Sequence, residues 1–135
     1  MDHIDIEEDV KPLAAKLIEL GCGAVLVKCG TAGMYFRSGS MEGVGDRLNI
    51  YKALWSDREA FQPCFKAEAV RSATGAGDTS IAAFLTAMLL GRDPLRCVAI
   101  AAAVGACCVT SYDALGGIKQ IDQLESMIDA GWETM

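Results

Sequence analysis

A glycine-rich segment between a predicted strand and a predicted helix has residue types suited to phosphate chemistry. It reads Thr74-Gly75-Ala76-Gly77-Asp78. The two glycines let the backbone turn and approach a ligand without a side-chain clash. The N–H groups that open a helix lack partners within it and carry positive partial charge, which suits the oxygens of a transferring phosphoryl group. Asp78 could accept a proton from a substrate hydroxyl there.

A purely structural interpretation fits the same local pattern equally well. Gly75 and Gly77 would make a tight turn, and Asp78 would cap the helix. The segment is not a dinucleotide fingerprint, because Ser80 stands where the third glycine would be. The phosphate loop Gly-x-x-x-x-Gly-Lys-Ser/Thr does not occur in the sequence. The local pattern therefore leaves both interpretations open.

The elements that would position this segment alternate between strand and helix. Apolar residues at helical spacing predict helices over residues 10–20, 79–90 and 94–109, and a last helix that begins at Asp122. Short apolar or alternating runs predict strands over residues 24–29, 34–37 and 65–70, the first two as a hairpin. Residues 49–59 are predicted to be irregular with a helical turn. This order indicates an α/β layer structure with a largely buried sheet.

Composition and charge exclude several classes of protein. The chain has 135 residues, of which 52% are apolar, so it can form one domain and is not disordered as a whole. Its net charge of −6 gives no general attraction to nucleic acid or to an anionic membrane. His3 is the only histidine, which excludes serine–histidine and cysteine–histidine catalytic pairs and argues against a histidine-ligated zinc site.

The first residues and the apolar runs predict a cytoplasmic protein. Acidic residues at positions 2, 5, 7, 8 and 9 do not fit a signal peptide. The longest apolar run, residues 97–109, falls short of the ~18 residues that a membrane span needs. The six cysteines form no Cys-x-x-Cys pair, so we expect buried, reduced thiols rather than redox chemistry.

Two other groups of residues also have a functional and a structural interpretation. The acidic cluster at residues 5–9 could hold a metal, but a solvated helix start is the stronger expectation, and we assign no metal ligand. Trp55, Phe61 and Phe65 could stack against a sugar. Core or subunit contacts are the commoner role of such aromatic residues, and we expect that role here.

Several segments resemble, in order along the chain, the motifs of the pfkB, or ribokinase-like, family of carbohydrate kinases. Residues 74–78 and the apolar helix after them resemble the signature of that family. Residues 28–33 look like its Thr-x-Gly-x-x-Gly nucleotide turn, and residues 101–110 look like its alanine-rich helix beside the adenine. Residues 114–118 resemble the sequence after that helix. The resemblance spans nearly the whole chain and rests mainly on the first motif.

The resemblance implies a role for each matching residue. Asp78 matches the catalytic base of the family. Gly75, Ala76 and Gly77 match the anion hole that holds the transferring phosphoryl group. The resemblance implies ATP and Mg²⁺ as cofactors. The residues that match positions near the nucleotide are Lys28, Gly30, Thr31, Gly33 and Ala102.

Three positions depart from the family's pattern. Lys28 stands where the family often has threonine, and it could contact a phosphate or be a strand-end charge that reaches solvent. Ser72 stands where the family often has aspartate, which puts activation by a monovalent cation in doubt. Ala102 replaces asparagine or histidine, which removes one contact to the adenine.

The resemblance further implies that residues 1–135 are the carboxy-terminal part of a longer kinase domain. Residues 1–10 lack the family's Asn-x-x-Glu motif, and the part that supplies most of the sugar pocket has no counterpart here. The implied fold is a three-layer α/β/α structure with a mostly parallel sheet. The implied activity is ATP-dependent phosphorylation of a sugar or sugar acid, weak in this part alone. The alternative is a non-catalytic half-domain that binds nucleotide or pairs with another subunit, and a homo-oligomer stays possible.

Overall fold

The computed structural model describes residues 4–41, 52–67, 76–108 and 120–134. Five α-helices occur in these ranges: α1 (Lys11–Glu19), α2 (Lys52–Trp55), α3 (Ala76–Leu89), α4 (Pro94–Cys108) and α5 (Ile121–Asp129). The three strands in these ranges are β1 (Ala24–Lys28), β2 (Met34–Ser38) and β3 (Glu59–Gln62). A π-helical turn over Ile6–Val10 leads into α1, and a 3₁₀ turn over Gly30–Ala32 joins β1 to β2.

Side-chain caps explain where the helices begin. The Asp5 carboxylate accepts a hydrogen bond from the Glu8 N–H at 3.0 Å, so the acidic cluster serves a helix start, as predicted. The Asp93 carboxylate accepts one from the Arg96 N–H at 2.8 Å, which confirms the predicted start of α4. The last helix begins one residue before the predicted Asp122. Its cap is Gln120, which forms a capping box.

The three strands form one antiparallel sheet in the order β1-β2-β3. Lys28 pairs with Met34 and Met34 with Gln62, so the predicted hairpin of the first two strands is confirmed. Strand β3 was not predicted, and it begins at Glu59, the last residue of the segment predicted to be irregular. Of the predicted strand over residues 65–70 the structure describes only residues 65–67, where Phe65 forms an isolated bridge with Thr134; residues 68–70 lie outside the described ranges.

Strand β1 is less buried than its apolar sequence predicts. Its end residues are exposed and its central residues are half-buried. Within the described ranges β1 pairs with β2 alone. The prediction of a buried strand is therefore wrong for the part of the sheet that the structure describes, because burial on both sides requires a neighbour that is not among these residues.

The main core lies between the sheet and helices α3 and α4. Phe36 of β2, Trp55 of α2 and Phe84 of α3 pack with their ring centroids 5.6–6.0 Å apart. Phe65 is also buried, and its ring stacks on Trp132 at 4.8 Å. Trp55 and Phe65 are therefore core residues as expected, and a sugar-stacking role for them is wrong.

Helices α3 and α4 approach each other closely because small residues face each other between them. Ser80 of α3 is buried, and a Cβ placed on Gly105 of α4 would lie 2.9 Å from the Ser80 Oγ. A larger residue at position 105 would therefore push the two helices apart. The chain around α4 is also held to α5, since Arg92 pairs with Glu125 at 2.9 Å.

Several cysteines in the described ranges are buried as expected, and Cys22, Cys29, Cys64 and Cys97 form no disulfide. Cys29, Cys97 and Cys107 are buried, whereas Cys22 is exposed. Burial raises the pKa of the Cys97 thiol to about 12, so this thiol stays protonated at neutral pH. None of the helices in the described ranges has the length and apolar character needed to cross a membrane.

Candidate active site

The predicted anion hole lies at the start of α3. Ala76 is the first residue of this helix, Gly77 the second and Asp78 the third. The N–H groups of the first four residues of a helix have no partner within the helix, and those of Ala76 and Gly77 belong to this set. Asp78 lies in the first turn and is exposed. Gly75, the other predicted anion-hole residue, lies outside the described ranges.

Lys28 is the last residue of β1, and its side chain reaches the start of α3. A Cβ placed on Gly77 would lie 2.6 Å from the Lys28 Nζ, 3.7 Å from its Cε and 3.9 Å from its Cδ. The end of the lysine side chain therefore occupies the space that a side chain at position 77 would need. From the sequence alone, a phosphate contact and a solvent-exposed strand-end charge were both open for Lys28. The structure brings its ammonium to the first turn of α3.

Lys28 adds a positive charge to the amino-terminal end of α3. The amino-terminal end of a helix carries about half a positive charge, and a cation placed there loses about 0.3–1 kcal/mol. Among the residues that the structure describes, Lys28 has no ion-pair partner. An oxyanion beside Gly77 and Lys28 would meet both the ammonium and the helix N–H groups, so the arrangement suits a phosphate.

The turn after β1 lies beside this site because it follows Lys28 directly. The turn is closed by a hydrogen bond that the Cys29 N–H donates to the Gly33 carbonyl at 2.8 Å. Gly30 has φ +58° and open space where a Cβ would point. Gly33 has φ +116°, and a Cβ there would lie 2.2 Å from the Gln62 carbonyl oxygen. Packing against β3 therefore explains the glycine at position 33, and the glycine at position 30 leaves a free face on the turn.

The remaining predicted nucleotide residues are only partly described. The backbone of Thr31 lies in the 3₁₀ turn. Ala102 lies in the middle of α4, and its side chain is buried in the main core. Ser72 and residues 114–118 lie outside the described ranges. The structure thus brings together Lys28, Gly77 and the start of α3, and a role of Ala102 beside the adenine stays a prediction.

The described residues supply no ready cage for a metal ion. In residues 4–41, 52–67, 76–108 and 120–134, no three His, Cys, Asp or Glu side chains come together as metal ligands. Magnesium commonly binds through one or two carboxylates together with substrate phosphates. Asp78 supplies a single carboxylate at the start of α3. It could bind magnesium in this way only together with a ligand whose own oxygens also bind the ion.

The family model of the pfkB family carbohydrate kinases matches residues 2–120, which is most of the chain. The chain belongs to this family. A comparison with curated protein sequences finds no match.

Solved structures of pfkB-type kinases share the fold of this chain. The Arabidopsis thaliana ribokinase complexed with ribose and ATP is 28% identical, with a TM-score of 0.70, and the match covers 90% of this chain and 34% of that one. A putative ribokinase II of E. coli in complex with ATP and Mg²⁺ is 24% identical, with a TM-score of 0.70 and coverage of 96% and 35%. The nucleoside kinase of Methanocaldococcus jannaschii is 22% identical, with a TM-score of 0.65 and coverage of 93% and 34%.

These matches confirm the ribokinase-like fold class that the sequence predicts. The chain spans about one third of the length of the solved kinases that it matches. The strand pairs among the described residues are antiparallel.

Proposed function

We propose that this chain is the nucleotide-binding part of a pfkB-type carbohydrate kinase that moves the γ-phosphoryl group of ATP to a hydroxyl of a sugar or sugar acid. The observation that supports this proposal is the approach of the Lys28 ammonium to Gly77 at the start of α3. A cation beside the amino-terminal end of a helix is suited to a phosphate with more than one negative charge.

In this proposal each residue has one task. Lys28 and the N–H groups of the anion hole bind the phosphate oxygens and stabilise the charge that they carry in the transition state. Asp78, in the first turn of the same helix, accepts the proton of the attacking hydroxyl. The residues assigned to the anion hole are Gly75, Ala76 and Gly77. The residues assigned to the rest of the nucleotide are Gly30, Thr31, Gly33 and Ala102.

Magnesium enters this site with the nucleotide. The solved E. coli relative is a complex with ATP and Mg²⁺, which supports the same pair of ligands here. With Asp78 the only carboxylate of the described part of the site, the phosphates supply most of the ligands of the ion. Bound magnesium would neutralise part of the phosphate charge. Activation by a monovalent cation is not part of the proposal, because Ser72 replaces the aspartate that the family often has.

The acceptor is a sugar or sugar acid, and its contacts lie mostly outside this chain. The Arabidopsis relative was solved with ribose, and its identity of 28% is the highest among the three relatives described above. Because this chain spans about one third of such a kinase, we expect little turnover from it alone. Positioning of the acceptor can supply about 7–11 kcal/mol of a reaction barrier. We place the protein in the cytoplasm, where ATP and sugars are found.

The short span of the chain favours one second candidate. This candidate is a non-catalytic half-domain that binds nucleotide or pairs with another subunit. It shares the phosphate site with the first proposal, and it differs in giving Asp78 no chemical role. Measuring turnover in a kinase completed around this chain distinguishes the two proposals.

Titration with Mg²⁺-ADP tests the phosphate site in the chain as it stands. Calorimetry should detect weak binding, and Lys28→Ala should weaken it by about 5- to 30-fold, because a charge-assisted hydrogen bond in an exposed site contributes about 1–2 kcal/mol. Lys16→Ala is the matched control, since Lys16 is an exposed lysine on α1. A folded chain that binds no nucleotide at millimolar concentration contradicts the proposal, as does equal binding by both variants.

Replacement of Asp78 tests the chemical role. In a kinase completed around this chain, Asp78→Asn should lower turnover by about 10²- to 10⁴-fold, because asparagine cannot accept the hydroxyl proton. Affinity for ADP should stay within a few-fold. The position is exposed in the first turn of α3, so the stability should change by about 1 kcal/mol at most. A folded variant that keeps most of its turnover would contradict the role of Asp78 as a base and would favour the second candidate, the non-catalytic half-domain.

A further inference from the structure

The turn after β1, residues 30–33, is held by a residue that lies beyond β3. The Cys64 thiol donates a hydrogen bond to the Gly30 carbonyl at 3.2 Å. The same carbonyl accepts a second hydrogen bond from the Gly33 N–H at 3.3 Å. The Gly30 carbonyl therefore has one partner within the turn and one outside it, and a carbonyl oxygen has lone pairs for both.

Packing restrains Gly33 of this turn but not Gly30. A Cβ on Gly33 would lie 2.2 Å from the Gln62 carbonyl oxygen, so β3 lies directly against this glycine. Gly30 is exposed, and no atom lies within 4 Å of the point where its Cβ would be. Glycine also lacks the side-chain contacts that limit the backbone of other residues. The hydrogen bonds to its carbonyl therefore restrain Gly30 where packing does not.

The segment that carries Cys64 is anchored to the last residues that the structure describes. Phe65 is buried, and its ring stacks on Trp132 with the ring centroids 4.8 Å apart. The Lys66 N–H donates a hydrogen bond to the Glu133 carbonyl at 2.8 Å, and the Trp132 Nε1–H donates one to the Lys66 carbonyl at 2.9 Å. Cys64 therefore lies next to a fixed part of the chain, and its hydrogen bond can restrain the exposed turn.

The Cys64 thiol keeps the proton that this hydrogen bond needs. Cys64 is half-buried, and burial raises the pKa of its thiol. A thiol with a raised pKa stays protonated at neutral pH and can donate, whereas a thiolate can only accept. Serine at this position would keep a donor, and alanine would have none. The two replacements therefore differ in the property on which the contact depends.

We propose that Cys64 is a positioning residue for nucleotide binding, because its thiol holds Gly30 with the open side of the turn available to the nucleotide. This proposal rests on the proposed function, in which Gly30 lies beside the nucleotide. Without the thiol, Gly30 would adopt other backbone conformations for part of the time. Nucleotide would then bind only the fraction of molecules with the native turn, and the apparent dissociation constant would rise in inverse proportion to that fraction.

Hydrogen exchange of the Gly33 N–H tests the restraint without nucleotide. Gly33 is buried and its N–H bonds to the Gly30 carbonyl, so exchange requires the turn to open. Under reducing conditions, Cys64→Ala should speed this exchange by about 2- to 10-fold, which is the equilibrium effect of losing one hydrogen bond. Cys64→Ser should leave the rate within about 2-fold. Cys22→Ala is the matched control, since Cys22 is exposed beyond the end of α1, and it should leave the rate unchanged.

Calorimetric titration with Mg²⁺-ADP tests the effect of the restraint on binding. Cys64→Ala should raise the dissociation constant by about 2- to 10-fold, and Cys64→Ser should keep it within about 2-fold of the unchanged chain. Cys22→Ala should have no effect. Urea unfolding of each variant shows whether weaker binding simply follows from lower stability of the whole fold, which a positioning role does not require.

Three results would overturn the proposal. The first is Gly33 exchange that Cys64→Ala leaves unchanged, and the second is equal affinity of the unchanged chain and the Cys64→Ala variant. The third is equal weakening of binding by Cys64→Ala and Cys64→Ser, because the donor would then be irrelevant. A folded chain that binds no Mg²⁺-ADP contradicts the proposed function instead, and faster Gly33 exchange in the Cys64→Ala variant would then still support the restraint on the turn.

Discussion

Replacement of Gly77 by alanine should raise stability and weaken nucleotide binding at once. Gly77 is the second residue of α3, where alanine is a better helix former by up to about 0.5–1 kcal/mol. The new Cβ would lie 2.6 Å from the Lys28 Nζ, and the contact is with the far end of a flexible side chain. The ammonium can therefore swing away at little cost in stability, and it leaves the phosphate site when it does.

The size of the effect follows from the distance that the ammonium must move. An ordinary van der Waals separation is about 3.5 Å, so the Nζ has to retreat by about 1 Å. If it then lies about 4 Å rather than about 3 Å from a phosphate oxygen, the Coulomb attraction falls by about 0.3 kcal/mol in water and about 1.4 kcal/mol at an effective dielectric constant of ~20. Binding of ADP should therefore weaken by about 2- to 10-fold.

A double-mutant cycle separates this effect from damage to the helix N–H groups. Calorimetric dissociation constants for Mg²⁺-ADP would be measured for Gly77→Ala, Lys28→Ala and the double variant, and urea unfolding would give their stabilities. With Lys28 already replaced, Gly77→Ala should change the dissociation constant by less than about two-fold, because the pair acts as one unit. The reasoning is refuted if Gly77→Ala weakens binding equally with and without Lys28, or if it destabilises the fold.

Three further expectations concern the turn, the thiols and a buried phenol. Gly33→Ala should lower the free energy of unfolding in urea by about 3 kcal/mol or more, because φ is +116° and β3 blocks the space for a Cβ. Gly30→Ala should lower it by about 1 kcal/mol, because φ is +58° and the space for a Cβ is open. Equal costs would contradict this account. Iodoacetamide at pH 8 should alkylate exposed Cys22 long before Cys97, because the Cys97 pKa of about 12 leaves only about one thiolate in 10⁴. Equal alkylation rates of the two cysteines in the folded chain, measured by mass spectrometry, would disprove this expectation. Burial, the main cause, and a hydrogen bond to a carboxylate raise the pKa of Tyr35, so its contribution to stability is complete below about pH 10 and is lost as the pH rises further. Tyr35→Phe should reduce that alkaline loss, and an unchanged pH profile of thermal unfolding would count against it.

Helix α3 could be predicted from the sequence because its signals are local, although it begins at Ala76, three residues before the predicted start at residue 79. Two glycines and an acidic residue before a long apolar run define a helix start whatever packs around it. The same holds for α4, where Asp93 caps the first turn and Pro94 is the first residue, as expected. Each of these helix starts depends on residues within one turn of it.

The features that could not be predicted depend on contacts between distant parts of the chain. Strand β3 has only four residues, and its pairing with β2 rather than its own pattern makes it a strand. The sequence does not determine where the Lys28 side chain points, because that depends on how β1 packs relative to α3. The exposure of β1 also depends on distant contacts. Its apolar residues indicate burial, but the sequence does not show which part of the fold would bury them.

The close contact between Ser80 and Gly105 has a consequence for how this kinase part tolerates mutation. Position 105 lies far along the chain from the candidate site, and its residue touches no group that we assign to phosphate or acceptor. Yet a side chain there would have to displace the Ser80 Oγ, and where Ser80 has no room to turn, α4 would move away from α3 and the start of α3 would shift relative to the end of β1. A drift of this kind would loosen the Lys28 contact before it unfolded the protein. Random mutagenesis selected only for folding should therefore accept substitutions at 105 that selection for nucleotide binding rejects.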